Sequence, residues 1–152
     1  MFDYDKTIVI QYPIGNTRTT YSIPSSVDVI GKYSFTNCPY LTEITIPEGV
    51  QKIETYGMSG MTALSTLTIP STVITIENYA LHHTTSLSTI SFEGTLEPTC
   101  GTGVFQQSTA TTTIIPNGYS SDNRGFCGIE ALIAIGTCGA TENDCLWKLY
   151  ED

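Results

Sequence analysis

The stretch Ile23–Ser91 reads IPSSVDVIGKYSFTNCPYLTEIT, IPEGVQKIETYGMSGMTALSTLT, IPSTVITIENYALHHTTSLSTIS: one 23-residue phrase spoken three times without insertion or deletion. Aligned, it gives columns. Pro24, Pro47 and Pro70 share one. Val27, Val50 and Val73, then Ile30, Ile53 and Ile76, then Tyr33, Tyr56 and Tyr79 share the next three. Phe35, Met58 and Leu81, then Leu41, Leu64 and Leu87, then Ile44, Leu67 and Ile90 complete the set. A repeat of this period is one coil of a solenoid, whose apolar columns are buried only when the coils stack. Ordering a lone coil costs more conformational entropy than its few apolar side chains return. An isolated coil is therefore expected to be unfolded.

The register fades on both sides. Phe92 still fills the Ile69 column, and Ile115-Pro116 repeats Ile69-Pro70 two periods on, with Leu96, Val104 and Ala110 in weakened core columns between them. A last, shortened coil is traced by Tyr119, Phe126, Leu132 and Ile135. On the other side Tyr21 and Ile23 match Ile44 and Ile46, so a strand precedes the first full coil. Such decay suits caps, which have one face in water.

Within a coil, Ile44 and Ile46 alternate with Glu43 and Thr45, the period-2 pattern of a half-buried strand. The proline that follows has no N–H for a ladder and ends the strand. The V-x-x-I run reads as a second strand or extended turn. Gly31–Tyr40 reads as a tight turn or a one-turn helix. The expected architecture is mainly β: a solenoid of about four to five coils with short parallel strands about 4.8 Å apart and degenerate caps. It divides into a cap-strand region at 1–22, a solenoid at 23–138 (regular over 23–45, 46–68 and 69–91, degenerate over 92–138) and a further segment at 139–152.

The phrase I-P-x-x-V-x-x-I-x-x-Y-x-F-x-x-C-x-x-L-x-x-I-x-I-P resembles the BspA-type (Treponema-type) leucine-rich repeats of bacterial surface proteins. Residues 23–92 match closely and 93–119, with Ile114–Tyr119 as IIPNGY, resemble the closing repeat of such arrays. The resemblance implies a leucine-rich-repeat fold, a cell-surface or extracellular setting and a role in adhesion or binding rather than catalysis. Gly136–Asp152, GTCGATENDCLWKLYED, is similar to the start of a small β module that often follows these repeats. It stops just past Trp147, so the chain reads as a piece of a longer protein.

Composition narrows the partners. The formal net charge is −9 with six Lys plus Arg, which disfavours nucleic acid and anionic membranes. No apolar stretch is long enough to span a bilayer, and MFDYDKTIVI lacks the basic and apolar regions of a signal peptide. Five cysteines are an odd number. Cys38 shares a column with Met61 and Thr84 and reads as core. Cys138 and Cys145 flank the loop Ala140–Asp144 and are the candidate disulfide. Cys100 and Cys127 stand in glycine-rich loops, either free or paired.

No pattern for catalysis, cofactor or metal emerges. His82 and His83 fall in the variable loop, and adjacent loop residues point apart. Gly101-Thr102-Gly103 lacks the strand–turn–helix setting of a phosphate loop. The candidate binding residues are instead the outward positions of the strand ladder: Thr20, Glu43, Thr66, Thr89 and Thr112, and two residues on Ser22, Thr45, Thr68, Ser91 and Ile114. Threonine suits a pleated surface for its own sake. The same face, polar and without aromatic or arginine anchors, also suits weak multivalent contacts with an extracellular protein or glycan. The loops Met58–Met61 and Leu81–Thr85 are a second candidate surface. The alternative is a rigid spacer holding another domain off the cell surface. Either way, an exposed solenoid end, with unpaired groups on its edge strand, is expected to pair weakly with another copy.

Overall fold

A computed structural model describes residues 1–120 and 125–134. Each coil contributes two strands on two faces. The first face is a five-stranded sheet of two-residue strands, β1 (Ile8–Val9), β3 (Val29–Ile30), β5 (Lys52–Ile53), β7 (Thr75–Ile76) and β9 (Thr99–Cys100), in that order and parallel throughout. This is the V-x-x-I run, now a strand. The second face holds β2 (Thr20–Ser22), β4 (Glu43–Thr45), β6 (Thr66–Ile69), β8 (Thr89–Phe92), β10 (Thr112–Pro116), β11 (Gly125–Phe126) and β12 (Ile129–Ala134).

The register follows the repeat. Lys52 pairs with Thr75, and Thr66 with Thr89, each 23 residues on. Because equivalent residues pair, each apolar column becomes a continuous row: Val27, Val50 and Val73, Ile30, Ile53 and Ile76, and Leu41, Leu64 and Leu87 are all buried. On the second face the burial alternates strictly in β4 and β6, Ile44, Leu67 and Ile69 pointing in while Glu43, Thr45, Thr66 and Thr68 point out. Pro47 and Pro70 lie just past these strands, whereas Pro116 is the last residue of β10.

The segment from Gly31 to Tyr40 is a turn with no helix. It carries two left-handed residues per coil. One column is Tyr33, Tyr56 and Tyr79, with φ of 60°, 57° and 56°. The other is Asn37, Gly60, His83 and Gln107, with φ of 57°, 70°, 57° and 59°. Asn and Gly enter this region readily; Tyr does so at a cost of about 1–2 kcal/mol. The turns are tied to one another by backbone bonds that repeat along the stack: Phe35 N–H to Gly57 O at 2.8 Å, Met58 N–H to Ala80 O at 2.9 Å and Leu81 N–H to Val104 O at 3.0 Å. Neighbouring coils are therefore joined by the short-strand sheet and the turns, and at most junctions by the longer strands as well.

Both ends of the described solenoid are closed by aromatic packing. At the first, Phe2 bridges back to Val9, and Tyr12 sits 4.9 Å from Tyr21 and 5.5 Å from Phe35 between ring centroids. At the other, Phe92 lies 4.8 Å from Phe126 and 6.0 Å from Tyr119. The closing coil is shorter, with Thr113 paired to Ala131, 18 residues on.

One sequence expectation is corrected. Leu96, placed in a weakened core column, is 72% exposed. The 23-residue offset holds for β8 against β10, where Thr89 pairs with Thr112, but on the other face Thr75 pairs with Thr99, 24 residues on. An extra residue is absorbed between the faces, and Leu96 lies in that segment. Val104 is buried and Ala110 is half-buried, as the columns require.

The row Ile44, Leu67, Ile90 ends at Thr113, which is fully buried with an Oγ1 that has no hydrogen-bond partner among the described residues. A buried hydroxyl without a partner costs its desolvation. Thr113→Val, which keeps the shape and removes the hydroxyl, is expected to stabilise the protein by about 1 kcal/mol, a rise in Tm of roughly 3 °C by calorimetry. A fall in Tm contradicts this account of the row.

Candidate binding surface

The predicted ladder residues do come to one face. Thr20 is beside Glu43, Thr66 beside Thr89 and Thr89 beside Thr112, while Ser22 is beside Thr45 and Thr68 beside Ser91. Thr20, Glu43, Thr45, Thr66 and Thr68 are exposed, and Thr89, Ser91 and Thr112 are half-buried. Ile114, opposite Ser91, is an apolar side chain on the face and is exposed.

The face is not continuous, as stacking alone would have it. β2 pairs with β4, and β6 with β8, but β4 and β6 are not paired. Thr42 N–H donates to Thr19 O at 2.8 Å and Ser88 N–H to Ser65 O at 3.0 Å, yet among the described residues no such bond joins Ser65 to Thr42. Likewise Ile23 N–H donates to Thr45 O at 3.0 Å, while Ile46 makes no equivalent bond to Thr68. The hydroxyls repeat the pattern: Thr42 Oγ1 donates to Thr19 O and Ser88 Oγ to Ser65 O, and Ser65 Oγ has no counterpart.

Orientation along the strands then fixes which groups are left over. Glu43 N–H and Thr45 O face β2, so residues 44 and 46 face β6; Ser65 O and Ile69 O face β8, so residues 66 and 68 face β4. A cleft of about 540 Å³ opens there, lined by Thr42, Glu43, Ile44, Thr45, Ile46, Ser65, Thr66, Thr68 and Glu93. The same two coils stay joined elsewhere, through Ile30 beside Ile53 and through the Phe35–Gly57 and Asn37–Ser59 bonds.

On another side of the solenoid the tyrosine column is a stack. Tyr33 and Tyr56 are 5.4 Å apart with planes 11° from parallel, and Tyr56 and Tyr79 are 5.1 Å apart at 13°. Gly103 continues the column, since a side chain there would meet the Tyr79 ring at 2.6 Å. Lys32 Nζ lies 5.1 Å from the centroid of the Tyr33 ring, within cation–π range. His82 sets its edge against Tyr56 and Tyr79, while His83 takes the left-handed turn position. The histidine pair is thus part of the turn packing.

Beside the stack, Lys52 Nζ lies 2.6 Å from Glu77 and 3.6 Å from Glu54. The bond from Lys52 and those from Thr55 hold the Glu77 carboxyl below its ordinary range, and Lys52 is raised, chiefly by Glu77. Each of these glutamates also caps the preceding coil: Glu54 accepts from Lys32 N–H and Glu77 from Thr55 N–H.

The cysteines divide. Cys38 is buried, and desolvation pushes its thiol up to about 11, so it stays protonated and poorly nucleophilic. Cys100 and Cys127, left open by the sequence, form a disulfide across 27 residues with Cα atoms 5.4 Å apart. Glu97 Oε1 accepts from Cys127 N–H at 2.8 Å, and Tyr119, its phenol raised mainly by burial, donates to Gly125 O at 3.3 Å. With both sulfurs joined, this group offers no thiolate to a metal and serves as the cap. Cys138 and Cys145 lie outside the described residues, as does the segment similar to a following β module.

The model of the BspA type leucine rich repeat region matches residues 15–130, in six copies. The chain belongs to this family. Among solved structures, a leucine-rich repeat protein from Eubacterium ventriosum is similar at 30% identity and a TM-score of 0.66, over 76% of this chain and 31% of that one. The pneumococcal vaccine antigen PcpA shares the fold at 20% identity and a TM-score of 0.55, over 79% and 36%. So does a leucine-rich cell surface protein from Faecalibacterium prausnitzii, at 20% identity and a TM-score of 0.56, over 76% and 36%. This BspA-type chain thus spans about a third of the length of these solved relatives. No curated protein matches it.

Closing a 27-residue span is worth about 3.5 kcal/mol in the chain-entropy account of a disulfide. Cys127→Ser is therefore expected to lower the unfolding free energy by about that amount in urea titration, and a reducing agent is expected to reproduce the loss in the wild type. A stability indifferent to both contradicts the role of this pair as the cap.

Proposed function

We propose that this chain is a non-catalytic binding module of a bacterial cell-surface protein, meeting an extracellular protein or glycan through its strand ladder or the adjoining loops. The observation that carries the reading is the exposed polar ladder opening into the cleft between β4 and β6. Its hydroxyls, carboxylates and unpaired backbone groups are what an incoming polar partner engages. The disulfide supports an oxidising setting, since such bonds persist outside the cytosol. One structural neighbour is described as a cell surface protein and another as a vaccine antigen, which supports the same setting. A net charge of −9 favours basic or neutral partners over nucleic acid.

A second reading, the rigid spacer, has its own support in the unbroken β1-to-β9 sheet and the stacked tyrosines beside it. The two separate in a binding screen of the purified chain against extracellular-matrix proteins and a glycan array. Saturable binding is expected, weakened at least about tenfold, or 1.4 kcal/mol, by Thr66→Arg with Thr89→Arg. Binding indifferent to that pair moves the site to the loops. No binding by a folded sample overturns the module reading and leaves the spacer.

A further inference from the structure

The cleft has a chemistry narrower than that of the face around it, and resting on the reading of the ladder as a binding surface, it names the class of partner. Its lining contains no aromatic residue, Lys or Arg. A sugar ring would find no aromatic ring there to stack on, and an acidic ligand no countercharge. What it offers is hydroxyls on Thr45, Ser65, Thr66 and Thr68, backbone amides and carbonyls turned into the gap, and, as its only charges, two exposed carboxylates, Glu43 and Glu93.

The two carboxylates sit toward opposite ends of the strand run. Glu43 begins β4. Glu93 follows Phe92, which pairs with Ile69, the equivalent of Ile46 one coil earlier. In the repeat Glu93 is therefore four positions past Glu43, roughly 13 Å along the strands, and it belongs to the coil of β8, two coils on, which adds roughly 10 Å across them. Neither carboxylate has a salt-bridge partner among the described residues, unlike Glu54 and Glu77, which share Lys52.

We propose that an extended basic segment of a partner protein lies across the mouth of the cleft between β4 and β6, its Lys or Arg side chains meeting Glu43 and Glu93 and its polar groups meeting the hydroxyls that line it. A guanidinium or ammonium supplies only donors, which suits a site rich in acceptors.

The test is fluorescence anisotropy at low and physiological salt with a labelled Ser/Thr peptide of about ten residues, carrying two arginines about five positions apart, the reach of a diagonal of roughly 16 Å. A second peptide has citrulline for both arginines, and a neutral oligosaccharide is the third probe. The arginine peptide is expected to bind and the citrulline peptide to bind at least about tenfold more weakly. Glu43→Gln with Glu93→Gln is expected to erase that difference, while Glu48→Gln, an exposed carboxylate outside the cleft, leaves it intact. All three side chains are on the surface, so each variant is expected to melt as the wild type does.

An equal loss from Glu48→Gln overturns the proposal, because it marks attraction to general acidity. So does unchanged binding by the double variant, or equal binding of the citrulline peptide or the oligosaccharide. Where the arginine peptide fails to bind but a partner from the wider screen is lost on Thr66→Arg with Thr89→Arg, the basic-segment proposal fails and the ladder reading survives. Where neither occurs, both fail.

Discussion

Everything in this solenoid depends on one constraint: equivalent residues of successive coils stack on one another at a 23-residue offset. No coil owns a core. Ile53 is buried because Ile30 and Ile76 lie on either side of it, and the same holds for Val50 and Leu64 in their rows. Stability is then a sum of neighbour terms, and the ends, where one neighbour is missing, need other devices. The first end uses Phe2 folded back on Val9 with the Tyr12, Tyr21 and Phe35 cluster; the other uses a shortened coil, Phe126 and a disulfide.

Redundancy among the three ladders explains how the stack tolerates an open joint. Between the coils of β4 and β6 the longer-strand ladder is missing, but the short-strand sheet and the turn bonds persist, and Ile44 and Leu67 remain buried. The loss therefore falls on polar backbone groups that solvent can reach rather than on the core. The left-handed tyrosines belong to the same balance. Their backbone strain recurs in each coil, and each ring gains a stacked neighbour, an aromatic contact worth about 0.5–1.5 kcal/mol. The polar joint, not the packed rows, is where chemistry is available to a partner.

The fold was legible because the repeat is periodic without gaps from Ile23 to Ser91, so burial could be read column by column. Leu96 escaped that logic, since one extra residue shifts the two faces differently and a fixed offset cannot represent both. The Cys100–Cys127 pair was not legible either: the two residues meet only because the last coil is short, which composition does not reveal. The ladder residues were found by alternation, but the cleft was not. Its strands have the same residue types as their paired neighbours, so nothing in the repeat sets that junction apart. The column Thr42, Ser65, Ser88 has a hydroxyl in every copy, so the bond that one junction lacks leaves no mark on the sequence.

Residue-resolved amide hydrogen exchange tests the central claim, that the coils are stacked in register with one open junction. The N–H groups of Ile44, Ile46, Thr66 and Thr68, which face the gap, are expected to exchange at least about 100-fold faster than those of Ile53 and Ile76 in the closed sheet, as groups open to solvent do. Uniform protection across both faces contradicts the open junction. Fast exchange throughout the short-strand sheet contradicts the stacked register itself.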